Sequence, residues 1–119
     1  MIRPDQNIQV YLCREPVDMR KSIDGLSLLV ESELELNPFD SALFVFCNRQ
    51  RDKIKILFWE RNGFVVWYKR LESERFKWPE KLATAASLTL TSQELNWLLD
   101  GYDLSAMRPH KPLHFQSVG

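Results

Sequence analysis

The sequence predicts an α+β fold: a single antiparallel sheet of four to five strands with two helices, in the order β-α-β-β-β-(β)-α. Three observations predict it. Residues 43–72 hold three apolar runs, 43–47, 54–59 and 64–68, rich in β-branched and aromatic residues and separated by two polar breaks. That is the pattern of a three-stranded meander. Upstream, Met19, Ile23, Leu26, Val30 and Leu34 recur at helical spacing and make one apolar stripe. Downstream, Thr91-Ser92-Gln93-Glu94 ahead of Leu95, Leu98 and Leu99 is a capping box that opens a second helix.

Taken in order, residues 1–7 are polar and expected to be loose. Residues 8–13 alternate weakly and read as a strand, ended by Arg14-Glu15-Pro16-Val17. Asp18 is placed to cap the first helix. Gly25 inside its stripe costs roughly 1 kcal/mol against alanine, which close packing on the sheet would justify. Glu31, Glu33 and Glu35 crowd the end of that helix, where the macrodipole disfavours acids. A solvated acidic face and a contact with a partner's basic surface both stay open there. Asn37-Pro38-Phe39-Asp40 then stops the helix and turns the chain into the meander.

Within the meander, residues 49–52 form a basic loop, and Asn62-Gly63 predicts a two-residue type I′ hairpin turn. That turn sets Arg61 opposite Phe64, Trp59 opposite Val66, Leu57 opposite Tyr68 and Lys55 opposite Arg70. One face then carries Ile54, Ile56, Phe58, Val65, Trp67 and Leu71, interrupted by Lys69 and Glu60, and reads as core. The other carries Lys53, Lys55, Arg61 and Arg70 around Leu57, Trp59, Phe64 and Tyr68. In the loop 73–79, Phe76 and Trp78 are expected to close over an end of the core. Residues 81–86 are ambiguous, 87–90 read as a short edge strand, and Gly101 ends the second helix. The domain is therefore expected over 1–104. Residues 105–119 have no periodicity, hold two prolines within 108–119, and are expected to be a flexible tail.

A chain of 119 residues, 45% hydrophobic and 27% charged, has the make-up of one soluble domain. It can bury about two-thirds of its unfolded surface without disulfides or metals. Formal net charge is zero, which argues against a histone-like binder. The distribution is uneven: residues 1–48 hold four Lys/Arg and eight Asp/Glu, 49–77 nine and four, and 78–119 three and four. The meander is a basic island. Cys13 and Cys47 sit in apolar strand contexts and read as buried thiols. Neither a secretory leader nor a membrane-spanning run is evident, so the expected location is cytoplasmic.

Catalytic signals are weak. His110 and His114 have metal-site spacing but no second ligand pair. Asp24, Asp40, Asp52 and Glu60 could be drawn together on paper, as could many pairs in a chain with 16 acids. No phosphate-cradling glycine motif or nucleophile elbow is present. No catalytic, metal or cofactor site is expected. Binding is better supported: Arg49, Arg51, Lys53, Lys55, Arg61 and Arg70 could neutralise phosphates, while Trp59 and Tyr68 could stack on bases. A protein interface and a passive solvated face, in which Lys and Arg stems shield Leu57 and Trp59, are the alternatives.

Several stretches also resemble a known family. They are Pro16-Val17-Asp18-Met19-Arg20-Lys21, Asn37-Pro38-Phe39, Ala42-Leu43-Phe44-Val45-Phe46, Arg51-Asp52-Lys53-Ile54-Lys55-Ile56-Leu57, Trp67-Tyr68-Lys69-Arg70-Leu71-Glu72, Phe76-Lys77-Trp78-Pro79 and Leu95-Asn96-Trp97-Leu98-Leu99-Asp100-Gly101. In order, over residues 8–104, they resemble the second-frame, Orf2-like (TnpB) accessory proteins of the IS-sixty-six family of bacterial transposable elements. The resemblance implies a role in transposition beside a separate, larger transposase that holds the catalytic acids. It carries no catalytic residue onto this chain. Cys47 and Gln50 stand where relatives often have basic residues. The partners it implies are DNA, the transposase and other proteins of the same element; a homo-oligomer stays open.

Overall fold

A computed structural model describes residues 7–108. Most of the stretch expected to be loose at the start, and residues 109–119 of the expected tail with His110 and His114, lie outside the described residues. The elements are β1 (Gln9–Cys13), α1 (Ile23–Ser32), β2 (Ala42–Cys47), β3 (Lys53–Glu60), β4 (Gly63–Arg70), a single 3-10 turn (Glu80–Leu82), β5 (Ser87–Leu90), α2 (Ser92–Leu99) and α3 (Leu104–Met107). The α+β class and the element order are those the sequence predicts, with the optional fifth strand present. The sheet runs β4-β3-β2-β1-β5.

One pair departs from the all-antiparallel expectation: β1 and β2 are parallel, with Val10 beside Leu43 and Leu12 beside Val45. The cause is the helix between them. Parallel neighbours need a crossover, which α1 and its flanking loops supply by returning the chain to the starting end of β1, whereas the tight turns after β2 and β3 reverse the chain. The other three pairings are antiparallel.

Both faces of the sheet are covered. On one, Val10, Leu12, Leu43, Val45, Ile54 and Ile56 pack with Leu95, Leu98 and Leu99 of α2, with Leu104 of α3, and with Phe76 and Trp78. On the other, Cys13, Phe44, Phe46 and Leu57 pack with Leu26 and Val30 of α1 and with Leu34. Every residue of β2 is buried, as a central strand covered on both sides requires. Phe76 and Trp78 do close the core, at 2% and 8% exposure. Trp78 Nε1 donates to the Cys13 carbonyl at 3.2 Å, so its polar edge is not stranded.

Three local expectations change. Asp18 does not cap α1; its carboxylate accepts from the Arg20 amide at 2.9 Å, a local turn that competes with helix, and α1 starts after Ser22. Gly25 is crowded not by the sheet but by Lys21, whose Cβ would lie 3.1 Å from an added methyl. The hairpin turn falls one residue early: Glu60 pairs with Gly63 and Trp59 with Phe64, leaving Arg61 and Asn62 as the loop, with Arg61 at φ 55. Because the pairing shifts by two residues, every side chain keeps its expected face. At the other end, Leu104–Met107 form α3. Leu104 is fully buried, and Arg108 binds Glu94 through Nε at 2.7 Å and Nη2 at 3.0 Å.

Candidate nucleic-acid interface

The face that the sequence marks as basic and aromatic exists as a register: Lys53 is paired with Arg70, Lys55 with Tyr68, Leu57 with Val66 and Trp59 with Phe64. It is not one open platform. Leu57, at its centre, is fully buried with α1 residues over it. Two exposed ends remain, about 20 Å apart for the six residues from Lys53 to Trp59 at roughly 3.3 Å each.

At the hairpin end, Trp59 belongs to a ring cluster, with its centroid 5.1 Å from Phe39 and 5.0 Å from Phe64. Trp59 and Phe64 are partly buried, and Phe39 is 56% exposed. Arg61 lies in the turn beyond them. Trp59 and Tyr68 therefore do not form one stacking surface, since Tyr68 stands opposite Lys55, four residues away.

The other end holds a groove of about 590 Å³, bounded by the loop through Pro16, Val17, Met19 and Arg20 and by the turn through Asn48, Arg49 and Gln50, with Lys53 and Tyr68 also lining it. Each wall has a local cause. Asn48, 6% exposed, organises the turn. Its Oδ1 accepts from the amides of Asp52 and Lys53, both at 3.1 Å, and its Nδ2 donates to Asp52 Oδ1 at 2.6 Å. That last bond leads the influences holding the Asp52 carboxyl below its ordinary range. The opposite wall is tied down where the Val17 amide donates to the Cys47 carbonyl at 2.8 Å. Asp18 grips the Arg20 guanidinium at 2.7 Å, and that hydrogen bonding brings its pKa down to about 2.

Lys55 turns out to be a tether. Its ammonium donates to the carbonyls of Met19 at 2.8 Å and Lys21 at 2.7 Å, and lies 5.7 Å from the Tyr68 ring centroid. Arg51 points away from the groove: it lies 5.6 Å from the Trp78 ring and 3.8 Å from Glu80, at φ 62. Lys53 pairs with Asp52 at 3.3 Å, and Arg70 with Glu72 at 2.9 Å. Arg49 is exposed and has no side-chain partner among the described residues. Of the eight residues nominated from sequence, the groove thus gathers Arg49, Lys53 and Tyr68, with Arg70 beside Lys53. It adds Arg20, whose side chain is 92% exposed. The signal for Arg20 was its place in the stretch 16–21, which carries part of the family resemblance but whose residues were assigned only a strand end and a helix cap.

Among the described residues no three His, Cys, Asp or Glu side chains are grouped to hold a metal ion, and no helix is long and apolar enough to cross a membrane. Both thiols are buried, and burial pushes the pKa of Cys13 and of Cys47 up to about 11.

Comparison with known proteins adds the family. The model described as "IS66 Orf2 like protein" matches residues 8–109. The chain is also similar to two proteins of Sinorhizobium fredii (strain NBRC 101917 / NGR234). It is 34% identical over 103 residues to uncharacterized protein y4hO, covering 87% of this chain and 88% of that one. It is 29% identical over 113 residues to uncharacterized protein y4jC, covering 95% and 94%. No solved structure matches. The chain belongs to the IS66 Orf2-like family of insertion-sequence accessory proteins.

Proposed function

We propose that this chain is a non-catalytic accessory protein of transposition that holds DNA by its backbone in the groove between the 16–20 loop and the 48–50 turn, alongside the transposase of the same element. The observation that carries the reading is the convergence of Arg20, Arg49 and Lys53 on one open groove, with Asp18 as the single acid lining it. Arg20 and Lys53 keep donors beyond those their carboxylate partners use, and Arg49 is uncommitted among the described residues. Phosphate oxygens suit such forks and ammonium groups. Tyr68, 48% exposed beside them, can add a sugar or base contact.

The test is anisotropy of labelled element-end duplex, random duplex and single strand over a range of salt. Three phosphate contacts predict a log–log salt slope of about −3 for duplex, at about −0.9 per contact. Arg49→Glu with Lys53→Glu should remove binding while leaving the melting temperature within a few degrees. Unchanged binding in that variant refutes the groove. A second reading, a docking module for the transposase, has its own observation: Phe39 and Leu28 are 56% and 63% exposed, the former against Trp59. Co-purification that survives nuclease and fails in Trp59→Ala would favour it.

A further inference from the structure

On the opposite face of the sheet from the first groove, a second cleft of about 510 Å³ opens between the end of β4 and the C-terminal end of α2. Its charged lining is Lys69, Arg75 and Lys77 against Glu74 and Asp100. The two clefts are neighbours around one strand. Tyr68 lines the first and Lys69 the second, and consecutive strand residues point to opposite faces. β4 is an edge strand, so among the described residues no further strand closes the path between them.

The connection is also physical. The Arg75 guanidinium donates to the Gln50 carbonyl at 2.8 Å, and the Phe76 amide to the Arg51 carbonyl at 2.7 Å. The loop that walls the second cleft is thereby fixed to the turn that walls the first. Lys69 spends one of its three donors on the Leu99 carbonyl at 3.1 Å. Lys77 is exposed, and among the described residues no internal contact uses its charge.

We infer that this second cleft is a further backbone-phosphate site, with Lys77 and Lys69 as its cations. A nucleic acid held in the first groove passes around the β4 edge and does not lie along the α1 face. The inference rests on the nucleic-acid reading of the first groove. A rigid turn–loop pair carrying Arg49 on one side and Lys77 on the other gives a track longer than one groove, and the number of phosphates engaged is what salt dependence counts.

The experiment is the salt dependence of random-duplex binding by the full chain and by three variants: Arg49→Ala, Lys77→Ala, and Arg61→Asn at the distant hairpin tip. Asparagine tolerates the positive φ at 61. With both clefts in use, about five phosphate contacts give a wild-type slope of about −4.5. Arg49→Ala and Lys77→Ala should each lower its magnitude by about 0.9, and Arg61→Asn should leave it unchanged. A Lys77→Ala slope equal to wild type, beside a reduced Arg49→Ala slope, overturns the second cleft and keeps the first. Absence of wild-type binding, or equal slopes in all four proteins, overturns both. Thermal melts of each variant separate a lost contact from a lost fold.

Discussion

Lys55 gives the sharpest separation between scaffold and contact, and its replacement by methionine is the perturbation to make. Methionine keeps the apolar stem and loses the ammonium. Two charge-assisted hydrogen bonds go, to Met19 and Lys21, with the cation–π approach to Tyr68. A hydrogen bond to a charged group contributes roughly 1.5–3 kcal/mol net when well shielded. One of these bonds is part-buried and the other exposed, so water can replace the ammonium at least at Lys21. About 2 kcal/mol for the pair and about 0.5 kcal/mol for the ring contact is the reasoned loss. With a urea slope of about 1–2 kcal/mol/M, the unfolding midpoint should fall by about 1.2–2.5 M. The assay is tryptophan fluorescence in urea, with four tryptophans as reporters. The salt slope of DNA binding should keep its value at temperatures where the variant is folded. A midpoint shift under about 0.3 M together with a salt slope smaller by about 0.9 would refute the tether and make Lys55 a phosphate contact.

Two further predictions concern the fold's margins. The Glu94 carboxyl feels burial, which raises its pKa, but the hydrogen bonds from Arg108 and from the Thr91 amide outweigh it and hold the pKa below the ordinary 4.5. A depressed acid stabilises the fold above its unfolded pKa and loses that contribution as pH falls through the folded one. Urea midpoints should therefore drop as pH goes below about 4.5, and drop less in Arg108→Ala; equal pH profiles would contradict the pair's role. The thiols of Cys13 and Cys47, buried and raised to about 11, should be silent to a disulfide reagent at pH 8 in the native protein and both react in denaturant. Rapid native reaction at either would contradict the packing.

How much of this was legible depends on range. The β3–β4 faces could be read because alternation is local and survives a shift of two residues. The turn itself was misplaced by one. Asn62-Gly63 is the better turn on propensity, yet the adopted register seats Trp59 directly against Phe64 with Phe39 across both. Such ring pairs contribute about 0.5–1.5 kcal/mol each, enough to offset the roughly 1–2 kcal/mol of left-handed backbone at Arg61. Nothing within the hairpin announces Phe39, which precedes the hairpin's first strand. The same limit applied to the basic face. Lys53, Lys55 and Arg70 were correctly set on one side, but their separate fates were decided by Met19, Lys21, Asp52 and Glu72. Side-chain identity locates a charge; only the tertiary neighbours say whether it is already spent.

The two sheet edges carry that point to function. The β5 edge is four residues long, and Arg108 Nη2 donates to its Thr89 carbonyl at 3.3 Å. The β4 edge is twice that length, and among the described residues no strand pairs with its outer side; its last two residues are Lys69 and Arg70. A long unpaired edge invites strand addition from another chain, and charged residues at its end oppose that. The same cations, pointing to opposite faces, help set the sign of the potential on both sides of the edge. With both sheet faces buried under helices, the ends and edges are where this fold can present a binding surface. The β4 end is where its cations collect, so the charge that keeps the edge from pairing is also the charge that would receive phosphate.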